Sequence, residues 1–226
     1  MPLLGVQFVC SPKIHITPIV SVPFEENSYI LAVNGRDDCI VVDPGLEPEK
    51  IMTFLDRKKL TPTALLNTHG HSDHIAGNAA LKQRWPGARI VIGTHEAAML
   101  TDPKLNLSAM FGLPIVSPPA DLTVCDGQTF EAAGLQIRAL EIPGHTPGHV
   151  VYLIEDHTPP WILVGDVIFA GSVGRSDFPG GDFTQLATGI RAKLFTLPDD
   201  TLLWPGHGSS TTVGEEKASN PFVGEG

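Results

Sequence analysis

Residues 63–77 read TALLNTHGHSDHIAG, and the surrounding fold has to be built to suit this stretch. TALLNT is a short apolar run that reads as a buried strand. It leads directly into three histidines and an aspartate within six positions: His69, His71, Asp73 and His74. If the backbone stays extended beyond Asn67, His69 and His71 project to the same side, because side chains alternate along an extended chain. Gly70 and Ser72 leave room around them. Asp73 and His74 fall where a helix begins and point from another direction. One turn can therefore offer two sets of ligands. Neutral imidazoles and a carboxylate suit zinc, iron or manganese. No cysteine lies nearby, so a Cys-rich structural zinc site is excluded. The plain alternative is a solvated histidine cluster on a loop.

Three later segments share a format: an apolar strand, a glycine, then a residue able to bind metal. EIPGHTPGH (141–149) offers His145, LVGDVIF (163–169) offers Asp166, and LWPGHGSS (203–210) offers His207. Each alone reads as a capped turn. Together they matter more, because strand ends in layered sheets meet at one edge, where sites are usually built. The full set is His69, His71, Asp73, His74, His145, Asp166 and His207. That is too many for one tetrahedral zinc, which takes three or four protein ligands. Two metals fit better, one on His69, His71 and His145, the other on Asp73, His74 and His207. Asp166 has two oxygens and could bridge. Ions ~3.5–4 Å apart would share a water or hydroxide.

Hydrophobic periodicity places strands at 28–33 and 38–45 around an Asn34–Gly35 turn, then at 63–68, 88–93, 135–143, 149–155, 161–170 and 201–208. Helical spacing appears at 47–60, 76–87 and 182–197, and a helix starts at 94 with Thr94 as its cap. The pattern predicts two stacked sheets flanked by helices, in a single α/β domain spanning 1–226. Residues 101–121 are proline-rich and aperiodic. They form a long loop, either a lid over the site or a surface connection.

The chain has 226 residues, 42% of them apolar and 18% charged, enough for a sizeable core. Its net charge of −10 argues against nucleic-acid partners, which need a basic face. No apolar run approaches the length of a membrane span, and the first 16 residues lack the basic start of a secretory signal. Cys10, Cys39 and Cys125 are an odd number with no close pair, as expected of reduced thiols in a cytoplasmic protein.

THGHSDH, GHTPGH, GD and PGHG, in this order, resemble the metallo-β-lactamase superfamily. The resemblance runs from the 28–45 strands to about Phe222. It implies a four-layer αββα sandwich with two divalent ions at one sheet edge, zinc first, iron or manganese also suitable. The seven residues above match the family's ligand positions one by one. Asp166 stands where many true lactamases carry Cys, which argues against antibiotic hydrolysis. GDVIFAGSVGRSDFPGGD (165–182) and PGHGSSTTVGEEKASNPF (205–222) resemble the glyoxalase II-like branch, which hydrolyses thioesters such as S-D-lactoylglutathione to glutathione and D-lactate. Here 19 residues follow His207, so the expectation is the short form without the C-terminal helical extension that supplies basic residues for glutathione. Where that branch holds glutathione with Lys and Tyr, this chain has Arg175 and Asp177.

The expected activity is metal-dependent thioester hydrolysis of a small-molecule substrate. Asp73 is also the candidate for orienting the nucleophilic hydroxide. Arg175 either binds a substrate carboxylate or pairs with Asp177 or Asp182. His149 belongs to the support of the site or to the core. His15, His95 and His157 read as surface or packing residues. Lys217 and Asn220 either approach the substrate or belong to a helix that anchors the C-terminus. Rival readings are a persulfide dioxygenase with one iron, or a lactonase or phosphodiesterase on the same site. The intact Asp73, His74 and His207 set disfavours the mononuclear iron enzyme.

Overall fold

The computed structural model describes residues 13–22 and 24–226. Cys10 and most of the N-terminal segment lie outside them. The buried run before the histidines divides between two cores. In β4 (Thr61–Leu66), Ala64 and Leu66 join one core while Leu65 joins another. A strand buried on both faces reads as an unbroken apolar run, as this one does. The same split recurs at Leu31 and Ile30 in β2 (Glu26–Val33), and at Ile40 and Val41 in β3 (Asp38–Val42).

The first sheet has the order β1-β2-β3-β4-β5-β6, completed by β1 (Ile14–Ser21), β5 (Arg89–Gly93) and β6 (Leu122–Val124). β1, β2 and β3 pair antiparallel, and β3 to β6 run parallel. The second sheet contains β7 (Thr129–Ala132), β8 (Leu135–Glu141), β9 (Val150–Ile154), β10 (Trp161–Gly165), β13 (Leu202–Pro205) and β14 (Thr211–Thr212). Its order is β14-β13-β10-β9-β8-β7, and β10 and β13 are parallel. A small hairpin of β11 (Ile168–Phe169) and β12 (Ser172–Val173) stands apart.

Between the sheets lie Leu31, Val42, Leu66, Val91, Ile137, Tyr152 and Leu163. Outside the first sheet, α1 (Pro48–Lys58) and α3 (Asn78–Arg84) cover Val41, Leu65 and Ile90 with Ile51, Leu55 and Leu81. Outside the second, α4 (Phe183–Gly189) and α5 (Val213–Ser219) cover Val151, Ile162 and Leu203 with Leu186 and Val213. The result is a four-layer αββα sandwich. Among the described residues no helix is long and apolar enough to cross a membrane.

Several local expectations change. Residues 94–100 form a 3₁₀ turn, and Thr94 does not cap it: its hydroxyl donates to the Val124 carbonyl. The 161–170 run breaks after Gly165. The 182–197 helix passes at Ile190–Leu194 into a π turn, with Asp182 as its true N-cap. Loop 101–121 contains a 3₁₀ turn at Ser108–Phe111. Strands β1, β6, β7 and β14 have no counterpart in the periodicity, being short or at sheet edges.

Candidate metal centre

β3, β4, β8, β10 and β13 all end at one edge of the sandwich. β4 runs into His69 and His71, and α2 (Ser72–Ile75) carries Asp73 and His74. The loop after β8 brings His145, the break after β10 brings Asp166, and the turn after β13 brings His207. Backbone bonds lock the two sheets together here. Val150 N–H donates to the Thr68 carbonyl, and Asn27 N–H to the Gly206 carbonyl. The Tyr29 hydroxyl donates to the Pro205 carbonyl at 2.7 Å.

The glycines before the predicted ligands are explained by crowding. Gly165 has φ +49, and a Cβ there would lie 2.3 Å from Thr68 Oγ1. A Cβ on Gly206 would lie 2.3 Å from Asp166 Oδ1 and 2.6 Å from His74 Cε1. Gly70 has a further role beyond loosening the turn. Its missing side chain admits Met99, and its N–H donates to Glu96 Oε2 at 2.9 Å.

All seven predicted residues converge. His69, His71 and His145 present nitrogens within 4.8 Å of one another, as do the ligating atoms of Asp73, His74 and His207. His71 Nδ1 lies 3.1 Å from His69 Nε2 and 3.0 Å from His145 Nε2. Asp166 stands between the groups. Its Oδ1 is 3.5 Å from His74 Nε2, and its Oδ2 is 3.6 Å from both His145 Nε2 and His207 Nε2. Asp73 Oδ2 is 3.4 Å from His207 Nε2 and 3.7 Å from His74 Nε2.

These residues fit metal ions. His74 Nε2 and Asp166 Oδ1 are buried without hydrogen-bond partners. Buried polar atoms are normally satisfied, so a group of them facing one another across 3.4–3.7 Å has the form of a cation site. Three imidazole nitrogens aimed at one point likewise repel unless a proton or a cation lies among them.

Burial, with the neighbouring His145, pushes His71 down to about 3. Burial lowers His69 and His149 well below their ordinary value, and lowers His145 too. Burial also opposes charge on His74, but Asp166 and Asp73 outweigh it and raise His74 well above the usual range. For Asp166 the penalty of burial is outweighed by His74, His145 and His207, which hold the carboxylate ionised. Neutral His69, His71 and His145 beside an ionised Asp166 are in the protonation states that metals require, whereas His74 and His207, both raised, would each give up a proton to an incoming ion.

His74, His145 and His207 are held from behind. Asp43 accepts from Thr68 N–H and Thr68 Oγ1, both at 2.7 Å, and its Oδ2 makes an ion-pair contact of 3.2 Å with His74 Nδ1 that falls short of hydrogen-bond geometry. His145 Nδ1 donates to the Arg175 carbonyl at 2.8 Å, and His207 Nδ1 to the Phe24 carbonyl at 3.0 Å. Such partners fix tautomer and orientation. His149 is fully buried, stacks on His69 and accepts from Asp166 N–H at 3.1 Å, so it supports the site. Glu96, also fully buried, accepts from Gly70 N–H and Gly148 N–H and ties the first histidine loop to the His145 loop.

A family model described as metallo-beta-lactamase superfamily matches residues 22–207. The chain belongs to the metallo-β-lactamase superfamily. A superfamily relative named probable metallo-hydrolase YqgX, from Bacillus subtilis, is 37% identical over 89% of this chain and 93% of its own. Hydroxyacylglutathione hydrolase GloC from Haemophilus influenzae is 35% identical over 93% of this chain and 98% of its own. Among solved structures, the BLEG-1 B3 metallo-beta-lactamase superposes with a TM-score of 0.87 at 35% identity, covering 92% of this chain and 99% of that one. A protein crystallised in a di-iron-bound form gives 0.79 at 32% identity, covering 91% and 99%. The family is one of metallo-hydrolases, and the glyoxalase II-like resemblance is upheld by the GloC relative.

In this metallo-β-lactamase fold His71, Asp73, His145, Asp166 and His207 line a cavity of about 420 Å³. Arg175 also lines it, but its guanidinium makes two bonds to Asp177, at 2.7 and 2.8 Å. Lys217 and Asn220 stay away from the cavity. Lys217 lies on α5, and Asn220 just beyond it donates to the Ser172 carbonyl and to Glu216. His15 pairs with Asn34, His95 with Glu141, and His157 stacks on Trp161. Sequence reasoning missed Asp43 and Glu96. Asp43 carries a partial signal, a strand-end aspartate followed, rather than preceded, by a small-residue turn at Pro44–Gly45. Glu96 carries none.

Proposed function

We propose that the protein is a binuclear metal-dependent thioester hydrolase of the hydroxyacylglutathione hydrolase type. The observation that carries this reading is the Asp166 carboxylate, set between two histidine-rich groups with one oxygen toward His74 and the other toward His145 and His207. His69, His71 and His145 would hold one ion, Asp73, His74 and His207 the second, with Asp166 shared. Zinc suits the donors best, and iron or manganese also fits. Two such ions would lower the pKa of a water between them and polarise a bound carbonyl.

The chain's own groups do the rest. Asp73 lines the cavity beside His207, where its carboxylate can accept a hydrogen bond from the attacking water and orient it. The acceptors behind His74, His145 and His207 favour a proton on each Nδ1, so that Nε2 is the nitrogen that would face an ion. A thiolate leaves as a weak base, so no residue has to act as its acid. Arg175 lies at the rim, where a substrate carboxylate would have to displace Asp177.

The test is elemental analysis of the purified protein together with hydrolysis of S-D-lactoylglutathione. Two metals per chain and metal-dependent cleavage are expected, with His71→Ala losing both activity and one metal. Full activity in His71→Ala would sink the reading. The similarity to a B3 metallo-β-lactamase favours β-lactam hydrolysis as a second reading. A chromogenic cephalosporin cleaved faster than any thioester would select it. One iron per chain with oxygen uptake would select the dioxygenase instead.

A further inference from the structure

Six apolar side chains surround the mouth of the centre, and the proposed hydrolysis uses none of them: Phe24, Leu107, Phe111, Phe169, Val173 and Phe178. Phe24 and Phe111 meet edge to face at 5.9 Å, although they are 44% and 56% exposed. Phe169 stands 6.1 Å from the His207 ring, and Phe178 stands 5.7 Å from the His71 ring. Aromatic surface therefore begins within one side chain of both ligand groups. Aromatic faces left this open beside a polar centre are surface for an apolar ligand group.

The loop that carries Leu107 and Phe111 is built to hold them there. Asn106 is fully buried and donates to the Met99 and Ile115 carbonyls at 3.0 and 2.9 Å. Its side-chain oxygen accepts from Ser108 N–H and Ser108 Oγ. Its carbonyl accepts from Ser72 N–H at 3.1 Å, which ties the loop to the ligand turn itself. Leu107 follows with φ +67, a conformation that glycine or asparagine adopts at far lower cost than leucine. Strain of this kind persists where the surroundings enforce it and clusters at ligand sites. Here it accompanies an apolar side chain at the cavity wall.

Charge completes the picture. Among the described residues lining the cavity, Arg175 is the one lysine or arginine side chain. It is paired with Asp177 and stacked 3.8 Å over the Phe178 ring. The rim therefore has no unbalanced positive charge for the carboxylates of a peptide thiol.

We propose that this wall is a substrate subsite for an apolar group, aromatic or branched aliphatic, next to the scissile carbonyl. The proposal rests on the hydrolase reading for its chemistry, but its recognition can be measured without turnover. The probes are two uncleavable thioethers, S-(2-phenylethyl)glutathione and S-ethylglutathione, titrated calorimetrically into the metal-loaded protein. The phenyl compound should bind about tenfold more tightly or better, given the apolar area a ring buries. Phe111→Ala and Leu107→Ala should each cut that ratio to about threefold or less. Both residues lie in a surface loop, and far-ultraviolet circular dichroism checks that each variant folds. Equal binding of the two thioethers by the parent protein overturns the subsite, and so does a preference unchanged in both variants. In parallel, kcat/KM for S-mandeloylglutathione should exceed that for S-D-lactoylglutathione by a similar ratio. If the phenyl thioether is preferred but neither thioester is cleaved, the subsite stands and the hydrolase reading falls. If lactoylglutathione is cleaved and the phenyl group confers no advantage, the reverse holds.

Discussion

Asp43→Asn removes one charged acceptor from the wall behind His74 and changes little else. Asp43 is 2% exposed and has φ +47, a conformation that Asn also tolerates, so the exchange adds no backbone strain. The bond from Thr68 N–H to Oδ1 survives on the Asn oxygen. The new amide N–H group then faces Thr68 Oγ1, which can turn to accept, and His74 Nδ1, 3.2 Å from the present Oδ2. To avoid donor against donor, Nδ1 has to accept, and the ring proton moves to Nε2. That nitrogen points into the centre, 3.5 Å from Asp166 and 3.7 Å from Asp73. A protonated nitrogen cannot bind a metal. Loss of an orienting partner of this kind costs about 10–100-fold in metal affinity, or about 1.4–2.8 kcal/mol. The loss should fall on the ion proposed for Asp73, His74 and His207, leaving the other affinity close to the parent's. Competition titration of metal-free protein against a chromophoric zinc chelator resolves the two affinities. The reasoning fails if both affinities match the parent, or if both fall equally while the fold is intact.

Glu96→Gln keeps one acceptor oxygen where Gly70 and Gly148 now use two, so one charge-assisted bond is lost in a buried site. Urea denaturation should register a loss of about 1.5–3 kcal/mol, and a change below about 0.5 kcal/mol, the size typical of surface substitutions, would contradict it. In chelator-treated protein, stability should fall as pH drops below about 6.5, the ordinary histidine value. His69, His71, His145 and His149 resist protonation in the folded state, while the unfolded chain takes up those protons. Each contributes up to about 1.4 kcal/mol per pH unit. His74 and His207 are raised, so below that pH they are protonated in both states and drop out. A flat profile of denaturation midpoint between pH 7 and 5 would contradict this account. Burial pushes the Cys39 thiol up to about 12, while Cys125 is exposed. Iodoacetamide at pH 8 should label Cys125 and spare Cys39 in peptide maps of the native protein; equal labelling would refute it.

What the sequence determined by itself is local. The unbroken apolar run of TALL announces a strand buried on both faces, and periodicities of two and 3.6 residues place the central strands and most helices but not the edge strands β1, β6, β7 and β14. The convergence of His69, His71, Asp73, His74, His145, Asp166 and His207 was also legible. Each sits just past an apolar strand, and strand ends of a layered sheet share an edge. The errors were local too. Thr94 looks like a helix cap, but a strand carbonyl takes its hydroxyl. The 161–170 run looks continuous, but Asp166 needs the kink that Gly165 supplies.

Only the tertiary structure decided what stands behind and around those seven residues. Asp43 reaches Thr68 across 25 positions, Glu96 reaches Gly148 across 52, and Tyr29 reaches Pro205 across 176. Such partners depend on strand order and register, which no local period encodes. The same holds for the apolar wall, whose members come from the turn before β2, loop 101–121, the β11–β12 hairpin and the segment beyond it. For Arg175, whose two readings stand open in the sequence, the structure selects the pair with Asp177, two positions away. Residue type and spacing specify which groups can hold a metal. The packing of distant elements specifies which nitrogen is free to bind it, and what kind of molecule can reach it.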